Sequence, residues 1–202
     1  ATRRAASLLV AMGTGALVGG AGAAVRSAME ARDAAIRLSV KGAQPGLPGV
    51  APATLLREAQ AVAVGVPGAK TEDVLAGISK FVSITGNLGL GRQLGRTLGE
   101  FGVTTGRAPE ELAQLFATLV QQGDITNLDE LRQTVMGLGL QGKKSSLELE
   151  ELAVKFPRMM VAAKDLFGPG RGGVLTLGAL AQKTRQGQET SAQAAVALSN
   201  AL

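Results

Sequence analysis

The chain has 202 residues, with 21 basic and 16 acidic side chains and a net charge of +5. It contains neither cysteine nor histidine. This composition excludes disulfides and thiolate metal sites and removes the commonest metal ligand and general base. The apolar residues are mostly Ala, Leu and Val, with five aromatic residues, all Phe. Such a composition favours helices that pack closely through small residues.

The basic residues are spread along the chain, and the only adjacent pairs are Arg3–Arg4 and Lys143–Lys144. A solvated surface of mixed charge explains this pattern, and transient contact with DNA or with an acidic wall is the alternative. Because there is no concentrated basic stripe and no set of rings for base stacking, we expect no sequence-specific binding of nucleic acid. The chain begins with Ala1 instead of Met, so we expect it to be a piece of a longer or processed polypeptide.

The first predicted element is a Gly/Ala-rich helix over residues 1–40, in which Ser7 to Val25 carry no charge. Three interpretations remain open for this uncharged segment. It is a helix that packs on copies of itself through Gly15 and Gly19, a membrane-inserting segment flanked by arginines, or a flexible tract. The side chains that would enter a membrane are Leu8, Leu9, Val10, Leu17 and Val18.

Residues 41–69 form the second predicted unit, a linker that contains one short helix. Glycines and prolines crowd residues 42–52 and break the helical periodicity. The pattern then predicts a helix over 53–64, which Pro67 and Gly68 end.

Residues 70–202 form the third predicted unit, a compact domain of several helices. Thr71 is expected to cap a helix that ends at Gly86. The next helix carries Gly91, Gly95 and Gly99, and each glycine costs about 0.8–1 kcal/mol relative to alanine in a helix interior. We therefore expect another helix, from the same chain or from a second copy, to lie close against these glycines.

Further helices follow in the third unit. One starts at Pro109 and ends at Gly123, and the next has a capping box of Asn127 and Glu130. A helix that Ser145 caps is expected to kink at Pro157, and residues 168–173 are expected to form a loop. Helices over about 174–186 and 189–202 complete an all-α array of eight or nine helices without a convincing strand.

Three motifs could in principle carry chemistry, and each has a simpler explanation. Gly168, Gly170 and Gly173 match G-x-G-x-x-G, but no strand precedes them and no acidic residue follows at the required distance, which favours an interhelical loop. The acidic group at 148–151 suits a solvated helix face, and the serines beside Lys143 and Lys144 suit helix caps. We therefore predict no enzymatic activity and no catalytic, cofactor or metal site.

Several segments resemble the core of bacteriophage tail tape measure proteins. The run AAVRSAMEARDAAIRLSV at 23–40 resembles the charged helix that follows a Gly/Ala helix in that family. Residues 75–125 are similar to its short helices with "TG…EEL" starts, and residues 140–173 to its "QGK…ELxxLAxxFPxL" segment. The helix at 177–202 adds to the resemblance, which covers most of the chain and is strongest over 70–202.

The resemblance implies a structural protein that occupies the tail tube, sets the tail length and leaves the tube during DNA ejection. It implies three copies of the chain, contact with tube and with tip or baseplate hub proteins, and passing contact with the host envelope. Two other hypotheses stay open. One is a membrane-active helical protein, pore-forming or effector-like, that uses the 7–25 segment, and the other is an ordinary helical scaffold.

Overall fold

The computed structural model describes residues 17–43, 49–143, 156, 159–160 and 166–186. Within these residues the chain is all-α, which confirms the predicted fold class: seven helices are present and no strand. The helices are α1 (Leu17–Lys41), α2 (Pro52–Gly65), α3 (Thr71–Thr85), α4 (Leu88–Thr105), α5 (Pro109–Gln121), α6 (Leu128–Lys143) and α7 (Gly170–Gln186).

Local sequence signals explain several helix boundaries. Gly86 and Gly106 end α3 and α4 with φ angles of 70° and 69°, in the left-handed region that glycine adopts without strain. The side-chain oxygen of Asn87 accepts a hydrogen bond from the Leu90 amide at 2.9 Å and caps α4. Pro109 is the first residue of α5, where its missing N–H leaves no intrahelical hydrogen bond unmade.

The predicted cap of α6 is present in part. Asn127 Oδ1 accepts hydrogen bonds from the amides of Asp129 at 2.9 Å and Glu130 at 3.2 Å. The carboxylate of Glu130 accepts a hydrogen bond from the Arg171 amide at 3.4 Å, at the start of α7. The residue that would complete a capping box therefore contacts the following described helix.

Two boundary predictions were wrong. Thr71 is the first helical residue of α3 and not its cap; Lys70, with extended backbone, occupies the capping position and makes no side-chain cap. The loop predicted over 168–173 ends early, because α7 already begins at Gly170. The Gly170 amide donates a hydrogen bond to the Gly123 carbonyl at 2.6 Å, which ties this start to the end of α5.

Other predicted elements lie outside the described residues. These are the cap at Ser145, most of the helix around Pro157 and the helix over 189–202. Phe156, Met159 and Met160 are described, and all three are helical and buried.

Helix α3 lies at the centre of the arrangement and packs against α1, α2, α4 and α5. Helix α6 joins this group through α4 and α5, and α7 packs on α6. The buried residues of α3 span about 160° of its circumference, and Phe81 is fully buried, whereas Lys80 and Ser83 on the other side are exposed. Such a broad apolar face offers room for several partner helices, in keeping with the central position of α3.

One continuous apolar core connects the described helices. It extends from Ala31, Ala35 and Leu38 on α1 to Val174 and Leu177 on α7. The described parts of residues 1–40 and 41–69 thus share their core with the described part of 70–202.

Candidate functional site

The glycines that the sequence analysis singled out on α4 lie against other helices of the same chain. A Cβ atom added to each would lie 3.0 Å from a methyl group, of Val82, Ile78 or Val62 in turn. The first two residues belong to α3 and the third to α2. The helix expected against the glycines is therefore mainly α3, and these contacts need no second copy. We call these three residues the glycine stripe: Gly91, Gly95 and Gly99.

A second close approach, which was not predicted from the sequence, joins α3 to α5. A Cβ atom on Gly77 would lie 2.9 Å from Pro109 Cβ and 3.0 Å from the Pro109 carbonyl oxygen. Gly102 of α4 faces the same corner, because a Cβ there would lie 3.1 Å from the Arg107 carbonyl oxygen. Gly77 lies in the middle of an apolar helical face, and this was the signal for the contact. A glycine in a helix interior lowers helix stability, and close packing of a neighbouring helix can offset that loss.

An ion pair with two hydrogen bonds connects α2 to α4. The Arg92 guanidinium donates from Nε to Glu58 Oε2 at 2.9 Å, and from Nη2 to Glu58 Oε1. The hydrogen bond from Arg92 holds the pKa of the Glu58 carboxyl below its ordinary value, although partial burial acts in the opposite direction. The same pairing raises the pKa of Arg92. Two parallel hydrogen bonds give the pair a defined geometry, which favours one relative orientation of α2 and α4.

We expect Glu58→Gln to lower the free energy of unfolding at pH 7 by about 0.5–1 kcal/mol, a modest value because solvent screens this partly exposed pair. The Glu58 pKa is lower in the folded chain than in the unfolded chain, where it is about 4.3. The stabilisation is therefore present above that pH and is lost as the pH falls through the folded-state pKa.

Urea unfolding of both proteins at pH 7 and about pH 3 measures this effect. The difference in stability between them should shrink at the lower pH. Glu30→Gln, at an exposed glutamate of α1, is the matched control for the loss of one carboxylate. An equal difference at both pH values would contradict a stabilising role of the ionised pair.

A second group of charges lies between α4 and α6. Glu100 accepts hydrogen bonds from Arg96 at 2.7 Å on its own helix and from Arg132 at 3.1 Å on α6. These side chains are partly exposed, so their contribution to stability is small.

Two surface grooves border the central helices. One, of about 430 Å³, lies where the starts of α3 and α5 meet the end of α4, and Lys70, Asp73 and Arg107 line its polar side. The other, of about 350 Å³, lies between α1 and α3, where Lys41 donates hydrogen bonds to the hydroxyls of Ser79 and Ser83. In the part of the chain that the structure describes, no group of three or more acidic side chains could hold a metal ion.

The uncharged segment at 7–25 is described only from Leu17 onward. Leu17, Val18 and Gly19 belong to the first turn of α1, whereas Leu8, Leu9, Val10 and Gly15 lie outside the described residues. Among the helices described, none is both long and apolar enough to span a bilayer. The acidic group at 148–151 and the Lys144–Ser146 segment also lie outside the described residues.

No protein-family model, curated protein or solved structure matches the chain.

Proposed function

We propose that this chain is a compact helical part of a bacteriophage tail tape measure protein and acts as a structural component. The observation that carries the proposal is the Thr105–Gly106 to Leu112 segment, which carries the family-like "TG…EEL" motif. In the structure, Gly106 ends α4, Pro109 begins α5, and Glu110 and Glu111 occupy the first turn of α5. The motif is thus a helix-end and helix-start unit, and the resemblance rests on features that direct folding.

The helical array suggests where such a segment would act within a ruler. A straight helix gains about 1.5 Å per residue, but a packed array adds much less length for the same number of residues. We therefore propose that this part lies at one end of the ruler, at the tail tip, while other parts span the tube. In that position three copies would contact the tail-tube proteins and the proteins of the tip or baseplate hub. They would leave the tail with the DNA and contact the host envelope briefly.

Amine cross-linking and mass spectrometry of intact phage particles that contain the chain would test the proposal. Lys70 and Lys80 are exposed and offer reactive amines close to the glycine-packed helices. We expect cross-links from these lysines to tail-tube or tail-tip proteins, with matching density inside the tube or tip by cryo-EM. Cross-links to capsid proteins alone, or the absence of the chain from purified particles, would contradict the proposal.

A membrane-active helical protein is the second candidate, and the 19 uncharged residues from Ser7 to Val25 favour it. Dye release from lipid vesicles by the full chain distinguishes the candidates. Release that Leu9→Asp and Val18→Asp together abolish would support membrane activity, whereas intact vesicles at all protein concentrations would count against it.

A further inference from the structure

One side of α1 exposes apolar side chains that no other described helix covers. Between 43% and 72% of each of these side chains is exposed to solvent. They lie opposite the face that packs into the core through Ala31, Ala35 and Leu38. Their spacing of four, seven and four residues confines them to about 60° of arc around the helix. We call them the α1 stripe: Val25, Met29, Ile36 and Val40.

Opposite charges border the α1 stripe at its middle. At about 100° per residue, Arg32 lies on one border of the stripe and Asp33 on the other, each about 50° from its centre line. Both side chains are exposed, and among the described residues neither forms an ion pair. At the level of residues 32 and 33 the stripe therefore has one positive and one negative border, and the exposed Arg26 and Arg37 lie farther from the centre line on the Asp33 side.

This arrangement is complementary to itself in one orientation. When two identical helices pack side by side in parallel and in register, each border of one helix meets the opposite border of the other. Arg32 of each copy then faces Asp33 of the next copy, while the apolar residues meet at four levels. In an antiparallel pair equal borders meet, so Arg32 would face Arg32 and Asp33 would face Asp33. Like charges at such contacts disfavour that orientation.

We propose that the α1 stripe binds a second copy of this chain, with the two α1 helices parallel and in register. The proposal rests on the exposed residues of α1 and does not depend on the proposed function. The same contact can form a closed dimer or a closed trimer, because both arrangements place a positive border against a negative one. Four apolar side chains per copy form a small interface, so the association is weak and depends on concentration.

Sedimentation equilibrium of the full chain, from about 5 µM to about 500 µM, measures the association. The average mass should rise from 20.5 kDa toward two or three times that value. Ile36→Asp should remove the rise, whereas Val64→Asp, at an exposed valine of α2, should leave it unchanged. A monomer throughout this range, or association that Ile36→Asp leaves intact, would overturn the proposal.

Charge reversal tests the proposed borders. Arg32→Asp alone and Asp33→Arg alone each give two borders of like charge, and each should weaken self-association at least about tenfold. An equimolar mixture of these two variants should associate again, because every contact in the mixed pair joins opposite charges. Since both positions are exposed, far-UV circular dichroism should show the same helix content in all variants. Failure of the mixture to associate would refute the pairing of Arg32 with Asp33.

Single cysteines test the orientation, because the natural chain contains none. Under mild oxidation, Met29→Cys should form a disulfide between two copies of the same variant, and so should Ile36→Cys. An antiparallel contact would instead join the two variants to each other when they are mixed. Predominant mixed disulfides would therefore overturn the parallel arrangement.

Discussion

Replacing Gly77 with alanine should lower the free energy of unfolding by about 2–3 kcal/mol, although alanine is the better helix former. The added Cβ atom would lie 2.9 Å from Pro109 Cβ and 3.0 Å from the Pro109 carbonyl oxygen. Both atoms belong to a residue whose backbone and ring cannot rotate away. The first turn of α5 would have to move off α3, and much of the central packing would loosen with it.

Urea denaturation followed by circular dichroism measures this loss, and Gly139→Ala is the matched control. Gly139 lies inside α6, and a Cβ atom there would meet no atom within 4 Å. The control should therefore gain about 0.5–1 kcal/mol from the higher helix propensity of alanine. If Gly77→Ala gained a similar amount, α3 and α5 would not approach each other as closely as described.

Several helix boundaries could be predicted from local sequence, although the predictions for the starts of α3 and α7 were wrong. Gly86, Gly106 and Pro109 act through the conformation of their own backbone, so each marks a helix end or start wherever the helix packs. Asn127 acts through amides two and three residues away, which is also a local effect. These signals, with the apolar periodicity, were sufficient to predict an all-α array.

The start of α7 could not be predicted in the same way. Four glycines between positions 168 and 173 favour a loop when propensity alone is considered. In the structure, Gly168 and Gly170 have φ angles of 73° and 85°, and the Gly170 amide is bound to the distant Gly123 carbonyl. The helix begins at Gly170 because of a tertiary contact that a local pattern cannot reveal.

The candidate site also has one feature that the sequence predicts and others that it does not. Three glycines inside one helix lower its stability, so the sequence predicts that another helix packs closely against the glycine stripe. The identity of that neighbour, and the pairing of Glu58 with Arg92 across 34 residues, depend on how the helices cross. Nothing in the local sequence distinguishes α3 of the same chain from a helix of a second copy.

Gly95→Leu should destabilise the chain by at least about 3 kcal/mol, a large share of the stability of an ordinary domain. Even a single Cβ atom at this position would lie 3.0 Å from Ile78 Cδ1 and 3.7 Å from Val74 Cγ1. A leucine side chain therefore has no room unless α4 separates from α3. Urea unfolding at two protein concentrations about fifty-fold apart measures both the size of the loss and its origin. Because the glycine stripe faces α3 of its own chain, the loss of stability should be the same at both concentrations.

A compensating pair of substitutions provides the control for Gly95. The Cδ1 atom of Ile78 is the one that an alanine at position 95 would crowd, whereas Ile78 Cγ1 lies at an ordinary distance of 3.6 Å. Ile78→Val removes Cδ1, at an expected cost of about 0.5–1.5 kcal/mol. Adding Gly95→Ala should recover about 1 kcal/mol through helix propensity, so the double variant should be close to the natural chain in stability. If Gly95→Leu left the monomer stable and changed only the average mass in solution, the glycine stripe would be a surface between copies and not the contact that joins α4 to α3.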